Sequence, residues 1–478
     1  MPFDLVIRHG RAVTPDGVIR ADIGIEGGEI TAIAEGLSGG PVLDATDRLV
    51  LPGGVDPHAH IEQMSGMGLM NADTFESATR SAAMGGTTSV ISFAAQHKGQ
   101  ALGRVVEEYA ALARRGAMID YAFHLSVSDI AAPDFDADLA RLVAAGHRSI
   151  KVFTTYNIKL EDREILEVLA AARRHGALVC VHAENDGLIG WAKQALLAAG
   201  MTRPAHHAIS HPRLAEVEAV SRLCHFAEFF GHPVMLFHIS TREGAEVLRN
   251  AQARGVPVWG ETCPHYLLMT SEVLDREGIE GAKWMCSPPQ REATDQQALW
   301  AALEEGVLQI ISSDHAPYRF DETGKLSAGP DADFTLIANG LPGLETRLPL
   351  IFAAMVSPDG AGVERFVELT SAAPARVYGL AAKGSIEIGK DADLAIWDPG
   401  VRRQYGADDL HDNVGYNPWE GREAAAPPQH VLSRGKPIVE DGRCVARPGQ
   451  GRWIARDAMG VQTSTGPAPE LHLIEGTP

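Results

Sequence analysis

His58 and His60 stand at alternate positions in the stretch LPGGVDPHAH (51–60), where an apolar run passes two glycines and meets polar residues. In an extended strand residues i and i+2 share a face, so both imidazoles project to one side, as a chelating pair would. With 19 histidines in 478 residues, the pair alone reads more readily as two hydrogen-bonded core side chains. Four more residues alter that balance. Lys151 in RSIKVF, His182 in ALVCVHAE, His238 in PVMLFHIS and Asp314 in LQIISSDH each lie at or near the end of a short β-rich run. Four imidazoles and a carboxylate suit a borderline divalent metal such as zinc, and they outnumber the ligands of one tetrahedral ion, which favours two ions. An ammonium at Lys151 would be repelled by such cations. Once its neutral amine has reacted with CO2, however, the resulting carbamate has two oxygens that can bridge metals roughly 3.5–4 Å apart.

These residues need a scaffold that gathers strand ends. From residue 49 onward, β-rich runs alternate with amphipathic stretches such as DREILEVLAAARRHG and PRLAEVEAVSRLCHFAEFFG. Eight such runs, from RLVLPGGVDPHAH to LQIISSDH, predict a (β/α)8 TIM barrel whose chemistry sits at the C-terminal ends of its strands. Residues 1–53 alternate apolar and polar positions between turns (PDG, EGGE), as hairpins of an antiparallel sheet do. Strand patterns return after about residue 380 and cannot extend a closed barrel. We therefore expect them to complete a smaller β-sandwich domain with the N-terminal segment. The expected division is sandwich 1–53, barrel 54–379, sandwich 380–457, and an extended tail 458–478 reaching a neighbouring subunit.

The totals restrict partners. A net charge of -20 argues against nucleic acid and anionic membrane, both of which call for a basic surface. The opening residues lack the apolar core of a leader, and no stretch is long enough to span a bilayer, so a cytoplasmic location is expected. Five scattered cysteines without a CxxC pair read as reduced core thiols.

Taken together, PGGVDPHAH, SIKVFTTYN, VHAEN, FHIS, GETCPHYL, SSDHAPY and NGLPGLETRL resemble, in order and spacing, the cyclic amidohydrolases, and most closely their dihydropyrimidinase and hydantoinase branch. The resemblance runs from residue 1 to about 455. It implies a binuclear centre, with His58, His60 and Asp314 on the more buried metal, His182 and His238 on the other, and carboxylated Lys151 bridging. It further implies that Tyr156 hydrogen-bonds the oxyanion, that the backbone at Ser287 and Asn339 holds the amide edge of the substrate ring, and that the protein is a homotetramer. The expected reaction is hydrolytic opening of a dihydropyrimidine, hydantoin or related cyclic ureide or imide. Asp314 would take the proton of the attacking water and pass it to the leaving nitrogen. Alternatives are a non-catalytic scaffold of the same fold, an allantoinase or another amidohydrolase, and a mononuclear deaminase. Lys151 speaks against the scaffold and the deaminase, since neither has a use for a bridging carbamate.

Departures from the family narrow the substrate. Dihydroorotase relatives place an arginine two residues after the second histidine, whereas Glu62 stands here, a residue expected to repel a carboxylated ring. The loop MSGMGLMNAD, with Met64, Met67 and Met70, together with Leu69 and Phe153, is expected to line a pocket for an alkyl or aryl substituent. The stretch HHAISH (His206, His207, His211) reads as a solvated loop rather than a third metal patch.

Overall fold

The computed structural model describes residues 3–457, and the tail expected at 458–478 lies outside the described residues. Eight strands, Gly54–Ala59, Thr87–Ala95, Asp120–Ser126, Ser149–Phe153, Leu178–His182, Val234–Leu236, Val258–Thr262 and Ile310–Ile311, form one sheet in sequential order. All neighbours are parallel. Strands four and five are buried along their whole length, as parallel strands covered on both faces must be. The sheet closes where Ala59 bridges His315 and the His60 N–H donates to the His315 carbonyl at 2.7 Å.

That seam is thin, because the eighth strand has two residues, and one side chain reinforces it. Arg347, fully buried, donates to the carbonyls of Val55 at 2.9 Å and Ile311 at 3.0 Å, one from each side of the closure. Its Nε lies 3.4 Å from the equally buried Asp56 carboxylate.

Helices cover the barrel where apolar spacing predicts them, for example at Asp162–His175 and Arg213–Phe230. The first, Phe75–Met84, begins in a capping box between Thr74 and Ser77. Several helices escape the sequence reading, among them Phe135–Ala144, Asp186–Ala198 and Arg347–Met355. Phe135–Ala144 starts from Asp134 at φ +59° without a side-chain cap. Only two residues of Asp186–Ala198, Ile189 and Leu196, are buried, while Leu188, Trp191 and Leu197 are exposed, so its apolar residues do not form one buried stripe.

Both ends of the chain contribute to the second, smaller unit. Leu394–Trp397 runs antiparallel to Leu49–Pro52 at the centre of a seven-stranded sheet. A four-stranded sheet packs on it through a core that includes Ile7, Ile23, Ile25, Val50, Leu394 and Leu432. Both expected hairpins form, Arg11–Thr14 with Gly17–Arg20 across PDG and Asp22–Glu26 with Glu29–Ala34 across EGGE, but the sheets that hold them are mixed rather than purely antiparallel. Leu5–Arg8 pairs in parallel with Val42–Asp44, and Arg11–Thr14 in parallel with Leu49–Pro52. Alternation identifies strands but carries no partner information, which tertiary packing supplies. The sandwich is fastened to the barrel by the buried Lys383 ammonium, 2.7 Å from Asp120 on barrel strand three and 2.8 Å from both Asp391 and Asp393. No helix among the described residues is long and apolar enough to cross a membrane.

Candidate metal centre

At the C-terminal mouth of the barrel lies a cavity of about 260 Å³ lined by His58, His60, Lys151, His182, His238 and Asp314, with Tyr156, Ser287 and Asn339 on its walls. His58 and Lys151 lie within strands one and four, His182 closes strand five, and His238 and Asp314 stand two and three residues past Leu236 and Ile311. Tyr156, His238 and Asp314 have φ values of +72°, +41° and +46°. Left-handed backbone is uncommon outside glycine, and it turns these side chains back over the barrel axis instead of letting them continue along the strand.

One nitrogen of most imidazoles is already committed. His58 Nδ1 is hydrogen-bonded to Glu261 of strand seven, His60 Nδ1 lies 3.1 Å from Gln63 Oε1, and His182 Nε2 lies 2.8 Å from Glu184 Oε2. A ring nitrogen facing an acceptor carries the proton, so the opposite nitrogen presents its lone pair to the cavity. His58 Nε2 and His60 Nε2 accordingly lie 3.0 Å and 3.6 Å from Asp314 Oδ1. The ligand atoms of these three residues all fall within 4.8 Å of one another. His182 and His238 stand beside that cluster, their ring centroids 4.5 Å apart and His238 5.5 Å from His58. The His238 Nδ1 is buried without a hydrogen-bond partner among the described residues. Lone pairs converging on one carboxylate fit borderline divalent cations.

Electrostatics agree with that fit. Burial lowers His60 to about 3 and pushes His238 well below the usual histidine range, so both rings are neutral, the form that can ligate a metal. For Asp314, burial acts upward, but the imidazoles of His58, His238 and His60 outweigh it and hold the carboxyl well below the usual range. Lys151 is enclosed by Phe93, Phe153 and Phe237, with Nζ 4.0 Å from the centroid of the last ring. Burial lowers its ammonium to about 7, against the pull of Asp314 and Glu261. A substantial share of the amine is therefore unprotonated at neutral pH, the form that reacts with CO2.

Sequence reasoning passed over the groups behind the ligands. Glu184, buried between His182 and His211, accepts from both at 2.8 Å, and Glu261 backs His58. Spacing held part of that signal, since Glu184 sits two residues after His182 in VHAEN, whereas Glu261 and His211 approach only through the fold. The solvated-loop reading of HHAISH is corrected: His206–Ser210 is a short helix, and His207 and His211 are 1% and 0% exposed. The role expected of Glu62 is corrected as well. Its carboxylate accepts from the Phe75 N–H at 3.0 Å and pairs with Arg115 at 3.1 Å, capping a helix N-terminus away from the cavity. Of the three loop methionines, Met67 lines the cavity, as does Phe153, while Met64 and Met70 bridge each other at the surface. Leu69 is not among the lining residues.

A closed (β/α)8 barrel with histidines, a lysine and an aspartate gathered at its strand ends defines a class of metal-dependent hydrolases, and the chain belongs to the Amidohydrolase family, whose profile matches residues 49–438. It is 39% identical over 462 residues to the D-hydantoinase of Geobacillus stearothermophilus, covering 95% of this chain and 97% of that one. It is 38% identical over 460 residues to the D-phenylhydantoinase of Escherichia coli strain K12, covering 95% and 98%. The crystal structure of dihydropyrimidinase from Brevibacillus agri superposes with a TM-score of 0.91 at 37% identity, covering 95% of this chain and 99% of that one.

Proposed function

We propose that this protein hydrolyses the cyclic amide bond of a hydantoin, dihydropyrimidine or related cyclic ureide or imide. The observation that carries the reading is the convergence of His58, His60 and Asp314, with an acceptor behind each imidazole. His58, His60 and Asp314 would hold one zinc ion, His182 and His238 a second, and Lys151, as its CO2 carbamate, both. When bound, such a pair lowers the pKa of water and polarises the scissile carbonyl.

The chain's own residues do the rest. Asp314, kept ionised by its imidazole neighbours, accepts a proton from the attacking water and delivers it to the ring nitrogen as the C–N bond breaks. The Tyr156 phenol, held protonated first by burial and then by the nearby Glu184 carboxylate, donates to the carbonyl oxygen as negative charge grows there. Ser287 and Asn339 line the cavity, and neither backbone N–H nor C=O of these two residues is hydrogen-bonded to another described residue. They offer alternating donors and acceptors to the ureide edge of the ring. Met67, Phe153 and Ile158 border the space for the ring substituent, and Lys151 is the one lysine, with no arginine, among the lining residues. An uncharged alkyl or aryl substituent suits that wall better than a carboxylate.

A turnover panel on the zinc-loaded protein tests this reading, using dihydrouracil, aryl and alkyl hydantoins, succinimide, allantoin and dihydroorotate. Aryl hydantoins or dihydrouracil are expected to react fastest. Faster turnover of dihydroorotate or allantoin would overturn the substrate assignment, and no turnover of any ring would overturn the reaction.

A further inference from the structure

Lys325 is a lysine in an unusual position. It is 0% exposed, makes no ion pair with a carboxylate among the described residues, and lies in the long loop after barrel strand eight. Burying an ammonium without a counter-ion is costly, so what it touches matters. Its Nζ donates to the Ala338 carbonyl at 3.0 Å and the Met285 carbonyl at 3.2 Å. The Met285 carbonyl also accepts from the Gly340 N–H at 2.8 Å. Residues 285 and 338–340 flank Ser287 and Asn339 and arrive from separate loops, after strands seven and eight. One backbone hydrogen bond and one lysine therefore hold the two segments together.

The surroundings leave that edge little freedom to adjust in other ways. Gly340 has φ +150°, and a Cβ there would lie 2.2 Å from the Ala316 carbonyl, so the strand-eight side is already fixed in backbone shape. The Lys325 N–H donates in turn to the Arg319 carbonyl at 2.8 Å, anchoring the lysine in its own loop. Burial lowers the Lys325 ammonium to about 7. Protonated or neutral, the nitrogen keeps the two N–H groups that two carbonyls require.

We propose that Lys325 is a positioning residue for substrate recognition: it staples Met285 to Ala338 and so sets the spacing of the Ser287 and Asn339 backbone groups that read the ureide edge. The inference rests on the ring-edge role given to those two residues above.

Two rings of equal size separate the possibilities. Dihydrouracil has an N–H where glutarimide has a methylene, and both lose the same kind of amide bond. The zinc-loaded native protein is expected to favour dihydrouracil by about tenfold or more in kcat/KM, a hydrogen-bond preference. In Lys325→Met the KM for dihydrouracil should rise about tenfold with kcat within about threefold, unchanged zinc content and a preference reduced to about threefold or less. Lys325→Gln, which keeps an amide donor on a shorter stem, should fall between and serves if the methionine variant does not fold. Because the preference compares two substrates in one preparation, partial loss of folded protein cancels. A preference left intact in the variants overturns the inference. A native protein that treats the two rings alike overturns the ring-edge reading, and the inference with it.

Discussion

The side chains that matter most at the centre owe their direction to backbone shape. Tyr156, His238 and Asp314 bend at positive φ, and no residue-type signal marks such positions in a sequence. Their chemical types were legible as a set, because five strand ends carrying a ligand type in barrel order is a pattern that a core histidine alone does not make. Their supports were not: Glu261 lies 203 residues from His58. Two outcomes test this level. Tyr156→Phe removes the donor aimed at the developing oxyanion and should lower kcat about 100- to 1000-fold with a much smaller change in KM, measured on any substrate the panel identifies. Glu184→Gln weakens the acceptor that fixes His182, and zinc affinity measured by competition with a chromogenic chelator should fall about 10- to 100-fold. Unchanged affinity would mean that the Glu184 charge does not support His182 as a ligand.

At the level of elements, the eight barrel runs could be read because parallel strands buried on both faces are rich in apolar and β-branched residues, and helices such as Leu102–Gly116 and Arg242–Ala253 carry clear apolar stripes. Phe135–Ala144 and Asp186–Ala198 were missed because each buries little, three residues in the first and two in the second. Turn residues made the two N-terminal hairpins legible, whereas the parallel pairings of Leu5–Arg8 with Val42–Asp44 and of Arg11–Thr14 with Leu49–Pro52 were not, because alternation says which face is buried and nothing about distant neighbours. Nor did any local pattern point to Arg347, although the seam of the barrel depends on it. Arg347→Met would leave Asp56 buried and unpaired and two strand carbonyls without their donor, and should cost about 3–5 kcal/mol of stability. A urea unfolding curve would read this, and a loss below about 1 kcal/mol would show that the strand ladder closes the barrel unaided.

Across the whole molecule, residues far apart in sequence share single tasks: Leu49–Pro52 and Leu394–Trp397 build one sheet, and Lys383 joins that unit to barrel strand three. The candidate metal centre is the most extended case, with proposed ligands from residue 58 to residue 314 drawn from five strands or their extensions. Cations held there would favour the folded barrel over any opened form, so stripping them should lower stability as well as activity. With free zinc at a thousand times Kd, each site contributes about 4 kcal/mol. Chelated protein should therefore melt several degrees lower, and both melting point and turnover should recover on adding zinc and bicarbonate. Anomalous diffraction at the zinc edge, from crystals grown with both present, is the most direct test. The account predicts two peaks, one against His58, His60 and Asp314 and one against His182 and His238, with carbamate density on Lys151 between them. A single peak, or an unmodified Lys151 amine beside it, would contradict the account.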